Sequence, residues 1–221
     1  MAYLLCIETS GPICSVALYS DKHTLVGFLQ DGNNFQHAAV LTTLIDQLLK
    51  ESQLTPRDVS AVALSAGPGS YTGLRIGTSV AKGFCYALDI PMIAIDTLSI
   101  LAYGLTVEHR IGTENVICPV IDARRMEVYA SVFDKDLRTI QKTEAIIIDD
   151  KSFKDALPLL LNIKCHARFS ENPFSKYSFH SFPKKYTVLM ESSTFICFFY
   201  FNYVELLLLP SFFLKFPLFI M

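Results

Sequence analysis

The sequence predicts an α/β fold in which mixed sheets carry packed helices, and three observations lead there. Short runs rich in β-branched, aromatic and leucine residues occur near both ends of the stretch Tyr3 to Leu161, punctuated by Gly11-Pro12 and Asp21-Lys22. Between them lie segments whose apolar residues recur at helical spacing. The order is strands first, then alternating helix and strand, which a bundle or a pure sandwich does not produce.

Tyr3 to Glu8, Ile13 to Ser20 and His23 to Gln30 read as a three-stranded antiparallel meander. Phe35 to Lys50 follows as an amphipathic helix, because Ala38, Leu41, Ile45, Leu48 and Leu49 share one face and Pro56 closes the unit. Ala61 to Ala66 is a buried apolar strand, Thr72 to Leu88 a second helix, Pro91 to Ile95 another strand and Leu98 to Leu105 a third helix. The pattern then restarts. Val116 to Ile121, Glu127 to Phe133 and Thr139 to Ile148 read as a second meander, and Ser152 to Leu161 opens another helix. Two lobes that begin alike predict an internal duplication, with a complete first lobe over 1–108 and a truncated second lobe over 109–161.

Composition narrows the function classes. A hydrophobic fraction of 51% supports a real core, and a net charge of −2 provides no global basic field for a nucleic-acid backbone. RNA contact is therefore expected to be local or borrowed. The cysteines Cys6, Cys14, Cys85, Cys118, Cys165 and Cys197 form no C-x-x-C pair, so they read as buried thiols of a reducing compartment. The opening Met-Ala-Tyr-Leu-Leu-Cys-Ile-Glu has neither a basic nor a long apolar signal region, and a cytoplasmic location is expected. All ten glycines lie at or before Gly112, whereas twelve of the seventeen phenylalanines lie at or after Phe169. That skew marks 162–221 as an aberrant aromatic-rich tail, consistent with translation in a shifted frame. The tail carries Asn202, Glu205 and Lys215 and is cut by Pro210 and Pro217. Its uncharged stretches fall short of the ~20 apolar residues of a spanning helix, so no membrane anchor is expected.

The segment Gly67-Pro68-Gly69-Ser70-Tyr71-Thr72-Gly73-Leu74-Arg75-Ile76-Gly77 joins a strand to a helix, where a glycine-rich turn can aim backbone N–H groups at an anion. It is not a P-loop, because Leu74 stands where a lysine is required, nor a dinucleotide fingerprint, because the glycine spacing differs. Two readings remain open. One is a phosphate cradle; the other is a tight turn in which Gly69 takes positive φ and Ser70 or Thr72 caps the helix. Inside the helix, Gly73, Gly77 and Ala81 stand four apart and form a small-residue groove. Either the chain's own first helix fills that groove, or the two helices together present a face to a partner protein.

The same string, with Ala81-Lys82-Gly83 behind it, resembles the signature of the TsaB family, in which Phe is usual at the place of Tyr71. Leu5-Cys6-Ile7-Glu8-Thr9-Ser10 is similar to that family's opening strand and turn. Ser15-Val16-Ala17-Leu18 resembles its second strand, and Asp122-Ala123-Arg124-Arg125-Met126-Glu127-Val128-Tyr129 its second-lobe hairpin. The resemblance covers residues 1 to 161. It implies an actin-like, sugar-kinase-like two-lobe fold and a role in making threonylcarbamoyladenosine in tRNA, as a non-catalytic, Gcp-like paralogue of the catalytic subunit TsaD. The implied partners are TsaD, met through first-lobe helices, and the ATPase TsaE, with tRNA contacted only indirectly and a homodimer when the partner is absent. No cofactor of its own is implied, and ATP can enter through the complex; the alternative readings are a metalloprotease-like or a nucleotide-binding, kinase-like protein of the same fold, or an inactive truncated product.

The residues test that implication. The catalytic paralogue binds a metal with two histidines one helical turn apart, whereas here His37 is followed at that spacing by Leu41. One histidine falls short of the three protein ligands of even a catalytic zinc site, so no metal is expected. His37, Leu41 and Ile45 are expected in the seam that meets the partner, together with Gly73, Gly77 and Ala81, with intramolecular core as the other reading. Glu8, Thr9, Ser10, Gly67, Gly69, Ser70, Thr72 and Asp122 are the expected nucleotide or phosphate contacts. In intact actin-like ATPases acids in these two hairpins organise Mg²⁺ and phosphates. Asp122 also has a simpler reading, as an ion-pair partner of Arg124 and Arg125 at a hairpin turn.

Overall fold

The structure is a computed structural model, and it describes residues 2–31, 36–108, 117–125 and 127–147. They belong to two compact units, one running to Ile100 and the other beginning at Leu101.

In the first unit, β1 (Tyr3–Glu8), β2 (Cys14–Ser20) and β3 (Leu25–Asp31) form the expected antiparallel meander. The third strand starts two residues late because His23, at φ 61°, turns the chain in the left-handed region. Helix α1 (His37–Glu51) then leads through a short turn at Pro56–Asp58 to β4 (Val59–Gly67). Helix α2 (Tyr71–Leu88) follows, then β5 (Met92–Asp96), and α3 (Thr97–Glu108) crosses the boundary between the units. The sheet order is β3-β2-β1-β4-β5, with β4 parallel to both β1 and β5. Parallel neighbours cannot be joined by a tight hairpin, and α2 supplies the crossover from β4 to β5.

One face of this sheet and the inner stripes of α1 and α2 make the core. Leu5 and Ile7 of β1, Val16 and Leu18 of β2, and Val62 and Leu64 of β4 meet Leu41, Ile45, Leu48 and Leu49 of α1. The four α1 residues occupy i, i+4, i+7 and i+8, the spacing that puts them on one face, and all are at most 5% exposed.

The second unit contains β6 (Val120–Arg124), β7 (Glu127–Phe133) and β8 (Thr139–Ile147), a three-stranded antiparallel sheet in the order β6-β7-β8. Like β1-β2-β3, it is an antiparallel meander. Strand β6 begins later than the apolar run Val116 to Ile121 suggests. Ile117 makes only an isolated bridge to Phe133, while pairing continues through the polar residues Asp122 and Arg124 to the hairpin tip. The expected helix at Ser152 to Leu161, the truncation of the second lobe and the tail at 162–221 lie outside the described residues. Among the described residues no helix is long and apolar enough to cross a membrane.

Candidate functional site

Three segments converge at one end of the first sheet: the exit of β1 at Glu8-Thr9-Ser10, the turn Gly67 to Ser70, and the first turn of α2. Glu8 stands on β1 between Ser15 of β2 and the β4 residue Ser65, in register with Ser15 and next to the Ile7–Leu64 pair. Its carboxyl is fully buried. Oε1 accepts the Ser10 N–H at 2.5 Å and the Ser65 hydroxyl at 3.0 Å. Among the described residues, Oε2 and the buried hydroxyls of Ser10 and Ser15 have no hydrogen-bond partner. Burial pushes the Glu8 carboxyl above the ordinary glutamate range, against the opposing pull of hydrogen bonds from Ser10 and Ser65.

The turn closes onto this cluster. The Ser70 N–H donates to the Ser10 carbonyl at 2.6 Å, and the Gly67 N–H donates to Thr97 Oγ1 at 3.2 Å. A side chain at Gly69 would put its Cβ 2.6 Å from the Ser10 carbonyl oxygen, so only glycine lets the two segments come this close. Gly69 has positive φ and Ser70 caps α2, its Oγ accepting the Gly73 N–H at 3.3 Å. The loop makes a tight turn with a serine cap, in which the N–H groups of Gly67, Ser70 and Gly73 are donated within the protein. Thr72 is exposed on the first turn of α2 and plays no capping part.

The residues expected at the partner-facing seam are His37, Leu41, Ile45, Gly73, Gly77 and Ala81. All six are buried inside the first unit. The small-residue groove is filled by the chain itself: a Cβ at Gly73 would land on the Thr9 carbonyl oxygen and 2.8 Å from His37 Cδ2, and one at Gly77 would land on Thr9 Oγ1. The end of β1 packs directly against the stripe. His37 is 2% exposed, and its Nε2 lies 2.9 Å from the Gly11 carbonyl oxygen. A carbonyl only accepts, so Nε2 carries the proton and donates. That nitrogen is not available as a metal ligand. Among the described residues no group of three or more His, Cys, Asp or Glu could hold a metal ion.

What α2 does present is its other side. Tyr71 is 73% exposed and Tyr86 92% exposed, and Arg75 and Lys82 lie on the same face by helical spacing. The Arg75 guanidinium sits 5.5 Å from the centre of the Tyr71 ring, a cation–π contact. No acidic residue occurs anywhere in Tyr71–Leu88.

Asp122 belongs to the second unit, exposed near the tip of the β6–β7 hairpin. Its Oδ1 accepts the Arg124 backbone N–H at 2.7 Å. The ion-pair reading is thereby corrected: the carboxylate holds the turn's backbone, and no ion pair joins it to Arg124 or Arg125. Sequence reasoning missed Ser65 and Thr97. A serine inside an apolar strand carries no pattern of its own. Thr97 stands in Asp96-Thr97-Leu98-Ser99, where Asp96 Oδ1 accepts the Ser99 N–H at 2.8 Å, a cap-like spacing that was legible.

Residues 31–195 match the family described as TsaD, tRNA N6-adenosine threonylcarbamoyltransferase. Among individual relatives, the tRNA threonylcarbamoyladenosine biosynthesis protein TsaB of Haemophilus influenzae is 38% identical over 129 residues, 58% of this chain and 52% of that protein. The TsaB of Escherichia coli K12 is 33% identical, covering 65% of this chain and 62% of that protein. The TsaB of Buchnera aphidicola from Schizaphis graminum is 32% identical over 158 residues, 68% of this chain and 73% of that protein. The chain thus spans just over half of the Haemophilus relative. Among solved structures, YeaZ from Pseudomonas aeruginosa superposes with a TM-score of 0.60 at 29% identity, over 68% of this chain and 70% of that one. The two meanders, duplicated in separate units, are those of the actin-like two-lobe fold. On the match of both sequence and fold, the chain belongs to the TsaB/YeaZ family.

Proposed function

We propose that this chain is a non-catalytic partner subunit in threonylcarbamoyladenosine synthesis, and that it docks on a TsaD-like catalytic paralogue. The observation that carries the non-catalytic reading is the environment of His37. It has no second histidine one turn on, and its Nε2 is donated to the Gly11 carbonyl in the interior. The docking reading is supported by the outer face of α2. Two largely exposed tyrosines and two cations on one helix face make an aromatic-rich, acid-free surface, and tyrosine and arginine are enriched at interfaces. The contact is assigned to this outer face, since the inner stripe is occupied.

The complex would include a TsaE-like ATPase that brings ATP, would act in the cytoplasm on tRNA held mainly by the other subunits, and would give way to a homodimer when the paralogue is absent. The test is removal of the gene with nucleoside analysis of bulk tRNA, alongside pull-down of the full chain. Loss of the modified nucleoside and recovery of a TsaD-like protein are expected. Normal modification without the gene would end the proposal. Tyr86→Ala is expected to weaken recovery of the paralogue while leaving the isolated chain folded, because the ring touches little of its own protein.

A further inference from the structure

The β6–β7 hairpin ends in an arrangement that its fold alone does not require. Arg124 and Arg125 have φ of 68° and 54°, two consecutive residues in the left-handed region. Hairpin tips that need positive φ take glycine, asparagine or aspartate by preference, because a long L side chain is disfavoured there. Both arginines are exposed. The acids beside them are Asp122, one oxygen of which accepts the Arg124 backbone N–H, and Glu127, opposite Arg124 in the strand register; neither guanidinium has an ion-pair partner among the described residues.

The β7–β8 turn of the same sheet shows the contrast. There Lys135 pairs with Asp136 at 2.9 Å, and the Asp134 carboxylate accepts the backbone N–H groups of Asp136 and Arg138. That turn, which itself places Leu137 at φ 59°, settles its charges locally. Left-handed non-glycine residues also occur at Gln53 and Asp89; the β6–β7 tip differs in having two in succession, both of them arginines held outward.

We propose that Arg124 and Arg125 form a contact for the phosphate backbone of an RNA; the proposal rests on the tRNA-modification reading above. Two adjacent planar guanidinium groups each match a phosphate with paired N–H donors. In a chain of net charge −2, a contact confined to one hairpin tip is the form RNA recognition has to take.

The experiment measures binding of unmodified tRNA transcript to the full chain by fluorescence anisotropy between 50 and 200 mM salt. The variants are R124A/R125A, R124K/R125K and R124N/R125G, the last placing preferred residues in the same backbone. For the wild type, measurable binding with a negative salt slope is expected. R124A/R125A and R124N/R125G should weaken it roughly tenfold at 50 mM salt and flatten the slope by about 1.4, two contacts at about 0.7 each. The lysine pair should keep most of the slope. R124N/R125G should melt at or above the wild-type temperature, which separates loss of contact from loss of fold. Unchanged affinity and slope in that variant, or no wild-type binding at 50 mM salt, overturns the proposal. Complete displacement of the tRNA by millimolar ATP or pyrophosphate assigns the tip to a free polyphosphate and likewise overturns it. A deletion strain that keeps its modified nucleoside refutes the functional reading itself. A strain that loses it on deletion but not with R124N/R125G refutes only the site.

Discussion

Replacing Glu8 by glutamine tests how the end of the first sheet is held together. Glu8 is fully buried, one carboxyl oxygen accepts two hydrogen bonds, and the other accepts none. Burial disfavours the charged form and pushes the carboxyl upward. The folded state therefore keeps this proton to a higher pH than the unfolded chain does. The stability Glu8 contributes is complete below the ordinary glutamate range, and it is lost as pH rises to and through the folded pKa. Across that window the loss is about 1.4 kcal/mol per pH unit, which for a chain of this size is about 3 to 6 °C in Tm. Glutamine keeps the shape and the accepting oxygen but cannot ionise. Urea denaturation of the wild type and Glu8→Gln from pH 4 to pH 9 should show near-equal stability at the acid end, with the variant gaining relative to the wild type as pH rises. Subtracting the two curves cancels every other titrating group. A difference that is flat with pH, or one that increasingly favours the wild type, would show Glu8 to be a stabilised anion and refute the reasoning.

Other substitutions probe the same region. Gly77→Ala should destabilise by about 1 to 3 kcal/mol through overpacking on Thr9 Oγ1. Thr9→Ala in the same chain should recover part of that loss, whereas Gly73→Ala, which strikes the Thr9 backbone carbonyl, should not be rescued; a double-mutant cycle in urea reads both. Gly83 is exposed in α2 with nothing within 4 Å of an added Cβ, so Gly83→Ala should stabilise the isolated chain by about 1 kcal/mol. If the outer face of α2 is the docking surface, the same change should weaken recovery of the paralogue. The Cys14 thiol is pushed up to about 12, first by burial and then by the nearby Asp31 and Glu8, and Cys6 is raised by burial alone. Peptide mapping after iodoacetamide at pH 8 should find both unmodified in the native chain and modified in urea.

How far the sequence could be read depended on whether a residue's role was local. Ser70 follows a glycine turn and precedes an apolar stripe, and that spacing announced a helix cap that the structure contains. The α1 stripe of Leu41, Ile45, Leu48 and Leu49 likewise needed only periodicity. The Gly73-Gly77-Ala81 stripe was equally visible, yet periodicity reveals a close approach without naming what approaches. Thr9 fills it from a strand distant in sequence, and only the sheet register brings the two together. Asp122 failed for a different reason. Proximity to two arginines suggested an ion pair, but a carboxylate at a turn meets its own backbone N–H first, at no cost in ordering long side chains.

The duplication sharpens that last point. Glu8 and Asp122 occupy the first strand of their respective meanders, each shortly before its first hairpin. One has been drawn into the interior, where Ser10 and Ser65 hold it and its proton is harder to remove; the other stays exposed and serves the turn. A carboxylate that organises a hydrated divalent cation has to be ionised and to offer an oxygen to it. Burial works against the first condition at Glu8, and at Asp122 one oxygen is already committed to the Arg124 backbone. The two acids thus do structural work by different means, burial in one case and a backbone hydrogen bond in the other, which supports the proposal of a subunit that contributes surfaces rather than chemistry.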